Sequence, residues 1–345
     1  MIDFEAFRGR PELEIAVNDA RFDEPIEEVN RHLSQFDAEY FFRIANNPDT
    51  YGPTQYAIIG GGDDRSHNAV IPMPAPRGNG VWPHILARGE AISHMAAEAG
   101  LRDSNGNLVP VAVIASPNKT SSYGSDKAQR KETRKGNVDR MSVRQVTLLD
   151  RAGFGAISGF AGYSEGSVFA ESFMNIARGT MDTDGSVVLG APAHASDFNV
   201  MEFAIAMGLE GMHFSSERKA ENIKVIEEIF ATHKAAPDFW KGMWTQREEA
   251  WALLKAYRQA DLASDMAKLA FLGHMTTVLH ASKDHLVPRL PVKAAFDAAR
   301  KEVGLGSARW LGRIEVLDAD HNLGDRVGRL AVLMAAGLTK EPLTD

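Results

Sequence analysis

The sequence contains no cysteine, no long hydrophobic run and no excess of positive charge. Without cysteine, disulfides, thiolate metal ligands and a thiol nucleophile are excluded. No stretch approaches the roughly 18 consecutive apolar residues that a membrane helix needs, so we expect no membrane span. The formal net charge of -8 gives no reason to expect a general affinity for nucleic acid or for an anionic membrane surface.

Two further features concern compartment and size. The stretch MIDFEAFRGRPELEIAV has neither a basic start nor an apolar core, so we expect no secretory signal and a cytoplasmic location. Hydrophobic residues make up 44% of the 345 residues, which is enough for one large core, or for one core and a modest accessory domain. The sequence leaves the oligomeric state open.

Short apolar runs alternate with helical patterns along most of the chain, which is typical of an α/β protein with a mostly parallel, doubly wound sheet and helices on both faces. The predicted strands cover residues 55–60, 69–73, 110–116, 155–162, 186–191, 277–281 and 314–317, with 13–17 as an outer strand. The predicted helices cover residues 82–99, 138–151, 165–178, 290–303 and 322–337. Gly304 predicts the end of the fourth of these helices, because glycine adopts the left-handed conformation readily.

One interruption of this rhythm predicts a helical lid, inserted before the penultimate strand. Between two predicted strands, the stretch 193–275 reads as helix after helix, which divides the chain into 1–192 and 276–345 of a core and 193–275 of a lid. Trp240, Met243 and Trp244 lie in that stretch, and either line an apolar substrate pocket or bury the lid against the core. A polar stretch with six basic residues, 118–137, is predicted to be an exposed loop.

The most informative motif is Gly162-Tyr163-Ser164-Glu165-Gly166, which follows a predicted strand of small apolar residues and precedes a predicted helix. Such a sharp turn between strand and helix holds the serine in a strained conformation, and the glycines relieve crowding because they lack Cβ. A serine on this turn projects its hydroxyl above the sheet. Ser164 is therefore the predicted nucleophile.

Seven predicted strands, their crossover helices and the serine turn together resemble the α/β-hydrolase family over about residues 55 to 340. The resemblance implies an acid after the strand that follows the lid, where TTVLHASKDHLVP places Asp284. It also implies a histidine beyond the last strand, where RIEVLDADHNLGDRV places His321. Asp318 and Asp320 are alternative acids, but they stand beside His321 and are expected to shape its loop.

The resemblance further implies a site for the negative oxygen that develops during acyl transfer. The backbone N–H of Glu165 is one expected donor, since it follows the nucleophile. A second donor is expected from the loop after the third strand, where the stretch Met73 to Gly80 offers the N–H of Ala75, Arg77 or Gly78. Gly60 to Gly62 is a rival loop.

These assignments imply a serine hydrolase that cleaves a small-molecule carboxylic ester, or a thioester or amide, through an acyl-enzyme with a Ser-His-Asp triad. No metal and no organic cofactor is expected: the spacing of His280 and His285 is not a metal-ligand pattern, and Asp63, Asp64 and His67 are expected to form a polar loop. Two alternatives stay open, a catalytically silent binding or assembly module and a peptidase of the same fold.

Overall fold

The fold is described from a computed structural model. It covers residues 10–35, 42–45, 54–59, 73–75, 82–101, 111–115, 127–183, 185–197, 199, 201–203, 205–206, 209, 247–321, 323 and 328–339. The strands are β1 (Glu12–Ala16), β2 (Phe42–Ala45), β3 (Thr54–Ile59), β4 (Met73–Ala75), β5 (Val111–Ala115), β6 (Gly159–Tyr163), β7 (Ser186–Gly190), β8 (Thr276–Ala281) and β9 (Leu311–Leu317). The helices are α1 (Asp23–Ser34), α2 (Trp82–Glu98), α3 (Lys127–Thr133), α4 (Asp139–Arg151), α5 (Ala170–Ala177), α6 (Arg247–Gln259), α7 (Leu262–Phe271), α8 (Arg289–Ala308) and α9 (Gly328–Leu338).

The strands form two sheets that meet at β4 and β6. Five parallel strands follow the order β1-β9-β8-β7-β6, and four strands follow the order β2-β3-β5-β4. Within the second sheet β3 runs antiparallel to β2 and β5, whereas β4 is parallel to β5. The strand β4 lies against β6 and against the residues that directly follow β6, so the two sheets adjoin at the carboxyl end of β6. The predicted mostly parallel sheet is confirmed.

Helices cover both faces of the parallel sheet. On one face α9 packs against β6, β7 and β8 and against α1 and α2. On the other face α8 packs on β8 and β9, with α7 and α5 beside it. The helix α9 approaches the sheet closely, since a Cβ on Gly337 would lie 2.6 Å from Val188 Cγ2. One large apolar core therefore lies on the two sides of a single layer of strands.

The inserted stretch between β7 and β8 is described only in part. The helix α7 belongs to the main core, where Leu262, Met266 and Leu269 are buried. The helix α6 joins a smaller apolar cluster with Val168 and Phe169, which directly follow the serine turn. The rest of the predicted lid lies largely outside the described residues, so the lid and the domain boundaries stay predictions. Within the described ranges no helix is both long and apolar enough to cross a membrane.

Several predicted boundaries differ from the structure for local reasons. The strand predicted from residue 155 begins at Gly159, because Ala156 pairs separately with Asp182. The helix predicted from residue 165 starts as a tight 3-10 helix (Ser164–Phe169) before α5. The predicted loop at 118–137 contains α3. At Gly304 the helix α8 is broken, with φ 69° and ψ 178°, as its left-handed preference predicts.

A ladder of charged groups lies between α8 and the strands β8, β9 and β1, with Arg313, Glu315 and His280 buried. Its outer members, Glu12 and Arg289, are 35% and 42% exposed. Arg313, 3% exposed, donates to Glu315 Oε2 at 2.7 Å and to Glu12 Oε2 at 2.7 Å and 3.0 Å. Arg289 from α8 pairs with the other oxygen of Glu315. Burial lowers the pKa of His280 to about 4, so its neutral ring accepts from Arg313 Nη1 at 3.3 Å. We refer to these five residues as the ionic ladder.

Candidate active site

The serine turn is built as the motif predicts. The strand β6 is buried throughout, and Ser164 directly after it has φ 51°, a backbone conformation that costs about 1 kcal/mol or more for a residue other than glycine. A Cβ on Gly162 would lie 2.7 Å from Ser167 Cα and 2.8 Å from the carbonyl oxygen of Gly166. Only glycine fits there, and Ser164 is left half-buried at the carboxyl end of β6.

The predicted acid lies in the turn after β8. Asp284 has a fully buried side chain, and its Oδ1 accepts hydrogen bonds from the backbone N–H groups of Leu286 and Val287, each at 2.8 Å. These two donors satisfy one carboxylate oxygen and fix the plane of the group. The other oxygen, Oδ2, is thereby aimed at the loop beyond β9.

The predicted histidine lies in that neighbouring loop. The loop is attached to the acid turn at its near end, since Asp318 N donates to Ser282 Oγ at 2.8 Å and Lys283 N donates to the Ala319 carbonyl at 2.9 Å. Parallel pairing of β8 with β9 brings the two turns side by side. Residues far apart in sequence therefore meet because their strands end at the same edge of the sheet.

The structure brings Ser164, His321 and Asp284 together in one hydrogen-bonded chain. His321 Nδ1 lies 2.8 Å from Asp284 Oδ2, and His321 Nε2 lies 3.1 Å from Ser164 Oγ. A carboxylate can only accept, so Nδ1 carries a proton and Nε2 is the acceptor for the serine hydroxyl. The arrangement can move a proton from Ser164 Oγ to the imidazole while the carboxylate stabilises the resulting cation.

The predicted donors for a negative oxygen are described in part. Glu165 is buried and stands in the first turn of the 3-10 helix after Ser164, where backbone N–H groups face the amino end of the helix. Ala75 is the last residue of β4, which lies against that 3-10 helix. Arg77, Gly78 and the rival loop Gly60 to Gly62 lie outside the described residues. The role of all these donors stays a prediction.

The predicted pocket residues Trp240, Met243 and Trp244 also lie outside the described residues. Near the site, α6 contacts the 3-10 helix Ala193–Ala195, which follows β7, and joins Phe169 in the smaller apolar cluster. A segment of the inserted stretch therefore packs against the end of the 3-10 helix that begins at Ser164.

Sequence reasoning misses one site contact. The hydroxyl of Tyr163, the residue before the nucleophile, donates to the backbone carbonyl of His321. The guanidinium of Arg88, from α2, lies over the Tyr163 ring, with Cζ 5.0 Å from the ring centroid. The adjacency of Tyr163 to Ser164 is the only signal in the sequence, and it does not reveal the partner 158 positions later.

A second polar cluster lies behind the site, where the 3-10 helix after β7 meets α7. His194 Nε2 stands 3.6 Å from Asp265 Oδ2. Burial lowers the pKa of His194 to about 4 and, together with the nearby Glu171 and Asp261, raises the pKa of Asp265 to about 7. The two groups are consequently a neutral imidazole beside a carboxyl that titrates near neutrality.

No protein-family model and no curated protein matches the sequence. Solved structures with a similar fold do match. A serine hydrolase involved in carbazole degradation aligns at a TM-score of 0.51 and 14% identity, over 86% of this chain and 98% of its own. A serine hydrolase from Cycloclasticus zankles aligns at 0.50 and 12% identity over 85% and 96%, and a bromoperoxidase from Bacillus anthracis at 0.50 and 12% over 85% and 97%. These alignments and the sheet topology show that the chain has the α/β-hydrolase fold.

Proposed function

We propose that this protein is a serine hydrolase that cleaves a small-molecule carboxylic ester through an acyl-enzyme, with Ser164, His321 and Asp284 as its catalytic triad. The observation that carries the proposal is the continuous hydrogen-bonded chain from Ser164 Oγ to Asp284 Oδ2, which begins at a strained serine on a sharp turn. Backbone strain of this kind clusters at functional positions in proteins.

In the first half of the reaction, Ser164 Oγ attacks the ester carbonyl carbon while its proton passes to His321 Nε2. The tetrahedral intermediate then collapses, the bond to the leaving oxygen breaks, and His321 returns the proton to the departing alcohol. In the second half, His321 takes a proton from water, the hydroxide oxygen attacks the acyl carbon, and Ser164 Oγ leaves with that proton. Asp284 stabilises the imidazolium in both halves.

The developing negative oxygen needs fixed donors, and the Glu165 N–H is the first candidate because it follows the nucleophile. The Ala75 N–H at the end of β4 and the Arg77 N–H are candidates for the second. An ester is the preferred substrate class because its alcohol leaves readily, whereas an amide nitrogen must be protonated before the bond can break. The apolar side chains of Trp240, Met243 and Trp244 are proposed to line the acyl pocket.

Labelling with a fluorophosphonate probe tests the proposal. We expect stoichiometric modification at Ser164, mapped by mass spectrometry, no modification in Ser164→Ala, and much slower modification in His321→Ala. Ser172→Ala is the matched control, since Ser172 is a buried serine of α5 whose hydroxyl donates to Asp139 Oδ1 at 2.7 Å, and it should be labelled like the wild type.

Absence of labelling in folded wild-type protein would reject the proposal and favour the silent binding module. Turnover of aryl esters of increasing acyl length, compared with an aryl thioester and an aminoacyl amide, then tests the substrate class. Preference for the aminoacyl amide would contradict the ester assignment and favour the peptidase alternative.

A further inference from the structure

Tyr163 connects the strand that carries the nucleophile to the loop that carries the base. It is the last residue of β6, is 8% exposed, and donates its hydroxyl proton to the carbonyl oxygen of His321. The two rings also touch, with centroids 5.5 Å apart and planes tilted by 50°. One side chain, adjacent to Ser164 in sequence, therefore contacts both the backbone and the imidazole of His321.

The loop that carries His321 has conformations that need support. Asp318 and Leu323, which flank His321, have φ 61° and 57°, in the left-handed region that residues other than glycine rarely occupy. The bonds to Ser282 and Lys283 hold only its near end, at Asp318 and Ala319. The hydrogen bond from Tyr163 acts two residues further on, at the peptide group of His321 itself.

The Tyr163 ring is itself held on two sides. Arg88 lies over one region of its face, and the ring lies so near Gly190 on the neighbouring strand that a Cβ there would be 2.9 Å from Tyr163 Cδ2. A cation over an aromatic face is attracted by the negative potential of the ring. The phenol oxygen is therefore presented at a fixed place relative to β6.

We propose that Tyr163 is a positioning residue for His321, and that its hydroxyl sets the direction of the imidazole toward Ser164. This inference rests on the proposed function. The carbonyl of His321 belongs to the peptide group that follows its Cα, so the hydrogen bond from Tyr163 restricts where that Cα lies. The contact with the Tyr163 ring and the bond from Nδ1 to Asp284 then restrict the rotation of the imidazole, and together they hold Nε2 near Ser164 Oγ.

The substitution Tyr163→Phe keeps the ring, its contact with Arg88 and its fit against Gly190, and removes only the oxygen. Reactions of this kind lose rate steeply when the reacting groups are misplaced by a fraction of an ångström, so we expect kcat for an aryl ester to fall by about tenfold or more. KM should change less than twofold, because substrate contacts are untouched. Tyr257→Phe, a buried tyrosine on α6 outside the hydrogen-bonded chain, is the matched control and should keep both constants.

A spectroscopic signature separates positioning from general loosening of the fold. In the wild type, the Nδ1 proton shared with Asp284 should give a strongly downfield proton resonance, assigned by its absence in His321→Ala. In Tyr163→Phe that resonance should broaden or move upfield, while in Tyr257→Phe it should stay in place. Both variants should unfold cooperatively, and the melting temperature of Tyr163→Phe should be lower by only a few degrees, as the loss of one buried hydrogen bond predicts.

The outcomes distinguish this inference from the proposed function. An unchanged kcat together with an unchanged downfield resonance in Tyr163→Phe would overturn the positioning role, whatever the protein hydrolyses. A wild type that neither labels at Ser164 nor turns over an ester would reject the proposed function. In that case the resonance alone decides whether Tyr163 orients His321.

Discussion

The triad and the ionic ladder each surround a buried carboxylate, Asp284 in one and Glu315 in the other. We call the triad open because it ends at a reactive hydroxyl, and the ladder closed because each of its charges faces an opposite charge. In the ladder, Arg313 meets two carboxylates, and Glu315 is met by Arg313 on one oxygen and Arg289 on the other. In the triad, Asp284 accepts hydrogen bonds from two backbone N–H groups and from the His321 imidazole. The series of hydrogen bonds then ends at the half-buried hydroxyl of Ser164.

This difference separates a structural use of buried charge from a chemical one. Charges inside a protein are costly unless they are paired, so a closed network only holds elements in register. A network that ends at an accessible hydroxyl keeps one member available to a substrate. Substitutions in the two networks should therefore change different measurements, activity in one and stability in the other.

The largest effect is expected from Asp284→Asn, which removes the charge of the open network and keeps its shape. The asparagine oxygen can still accept from Leu286 and Val287, but its amide then faces His321 Nδ1 and favours the wrong tautomer. By analogy with serine protease triads, kcat should fall about ten-thousand-fold, with little change in melting temperature. Steady-state kinetics measures kcat, and thermal unfolding measures the melting temperature. A lower melting temperature with an unchanged kcat per folded molecule would contradict the distinction between the two networks.

The next effect is expected from Arg313→Met in the closed network. The buried Glu315 then keeps Arg289 as its charged partner, whereas Glu12 loses its closest one. The free energy of unfolding should therefore fall by about 3 kcal/mol, the low end of the range for a broken buried pair. Arg300→Met is the control, because Arg300 is 38% exposed and reaches Glu12 at 3.4 Å, and it should cost less than about 1 kcal/mol. Urea unfolding measures both, and kcat per folded molecule should be unchanged in either variant.

The smallest effect is expected at Asp265, which belongs to neither network. Its pKa is raised to about 7 by burial and by Glu171 and Asp261, so the folded protein holds a proton that the unfolded chain releases near pH 4. The free energy of unfolding therefore falls as the pH rises from about 4 to about 7, because the unfolded chain gains by releasing this proton and the folded protein does not. Asp265→Asn should remove that loss and raise the free energy of unfolding at pH 8 by about 2 kcal/mol, with no gain at pH 4.

Asp261→Asn is the comparison variant for that experiment. Asp261 caps α7 by accepting from the N–H groups of Ala263 and Ser264, a role that asparagine can also fill. Its charge is a minor cause of the raised pKa of Asp265, so Asp261→Asn should recover only a small part of the gain at pH 8 and none at pH 4. Equal gains for Asp265→Asn at pH 4 and pH 8 would show that titration of Asp265 is not the cause.

The strands around the site are predictable because buried parallel strands read as short apolar runs bounded by turn residues. The sequence predicts β7 at 186–191 and β8 at 277–281, within one residue of the structure at each end. It does not predict β2, whose four residues are too few to carry a pattern. Nor does it predict α1, although Ile26, Val29 and Leu33 stand at helical spacing there.

The candidate site also has residues that the sequence predicts and contacts that it does not. The sequence places Ser164, Asp284 and His321 because each follows a strand whose end is marked by composition, and the structure brings the three together. Other contacts depend on side-chain geometry that the sequence does not show. Tyr163 bonds to a residue 158 positions later, and Glu12 in the ionic ladder bonds to a residue 301 positions later. Periodicity within a segment carries no information on which distant segment it faces.

The pairing of β1 with β9 has a consequence for the order in which a growing chain can fold. Glu12 is synthesised 301 residues before Arg313, so β1 leaves the ribosome long before the strand that it joins exists. The strand β9 also leads directly to His321. The edge of the sheet is therefore completed and His321 brought beside Asp284 in one late event. Under the proposed function, a nascent protein would have no activity before that event.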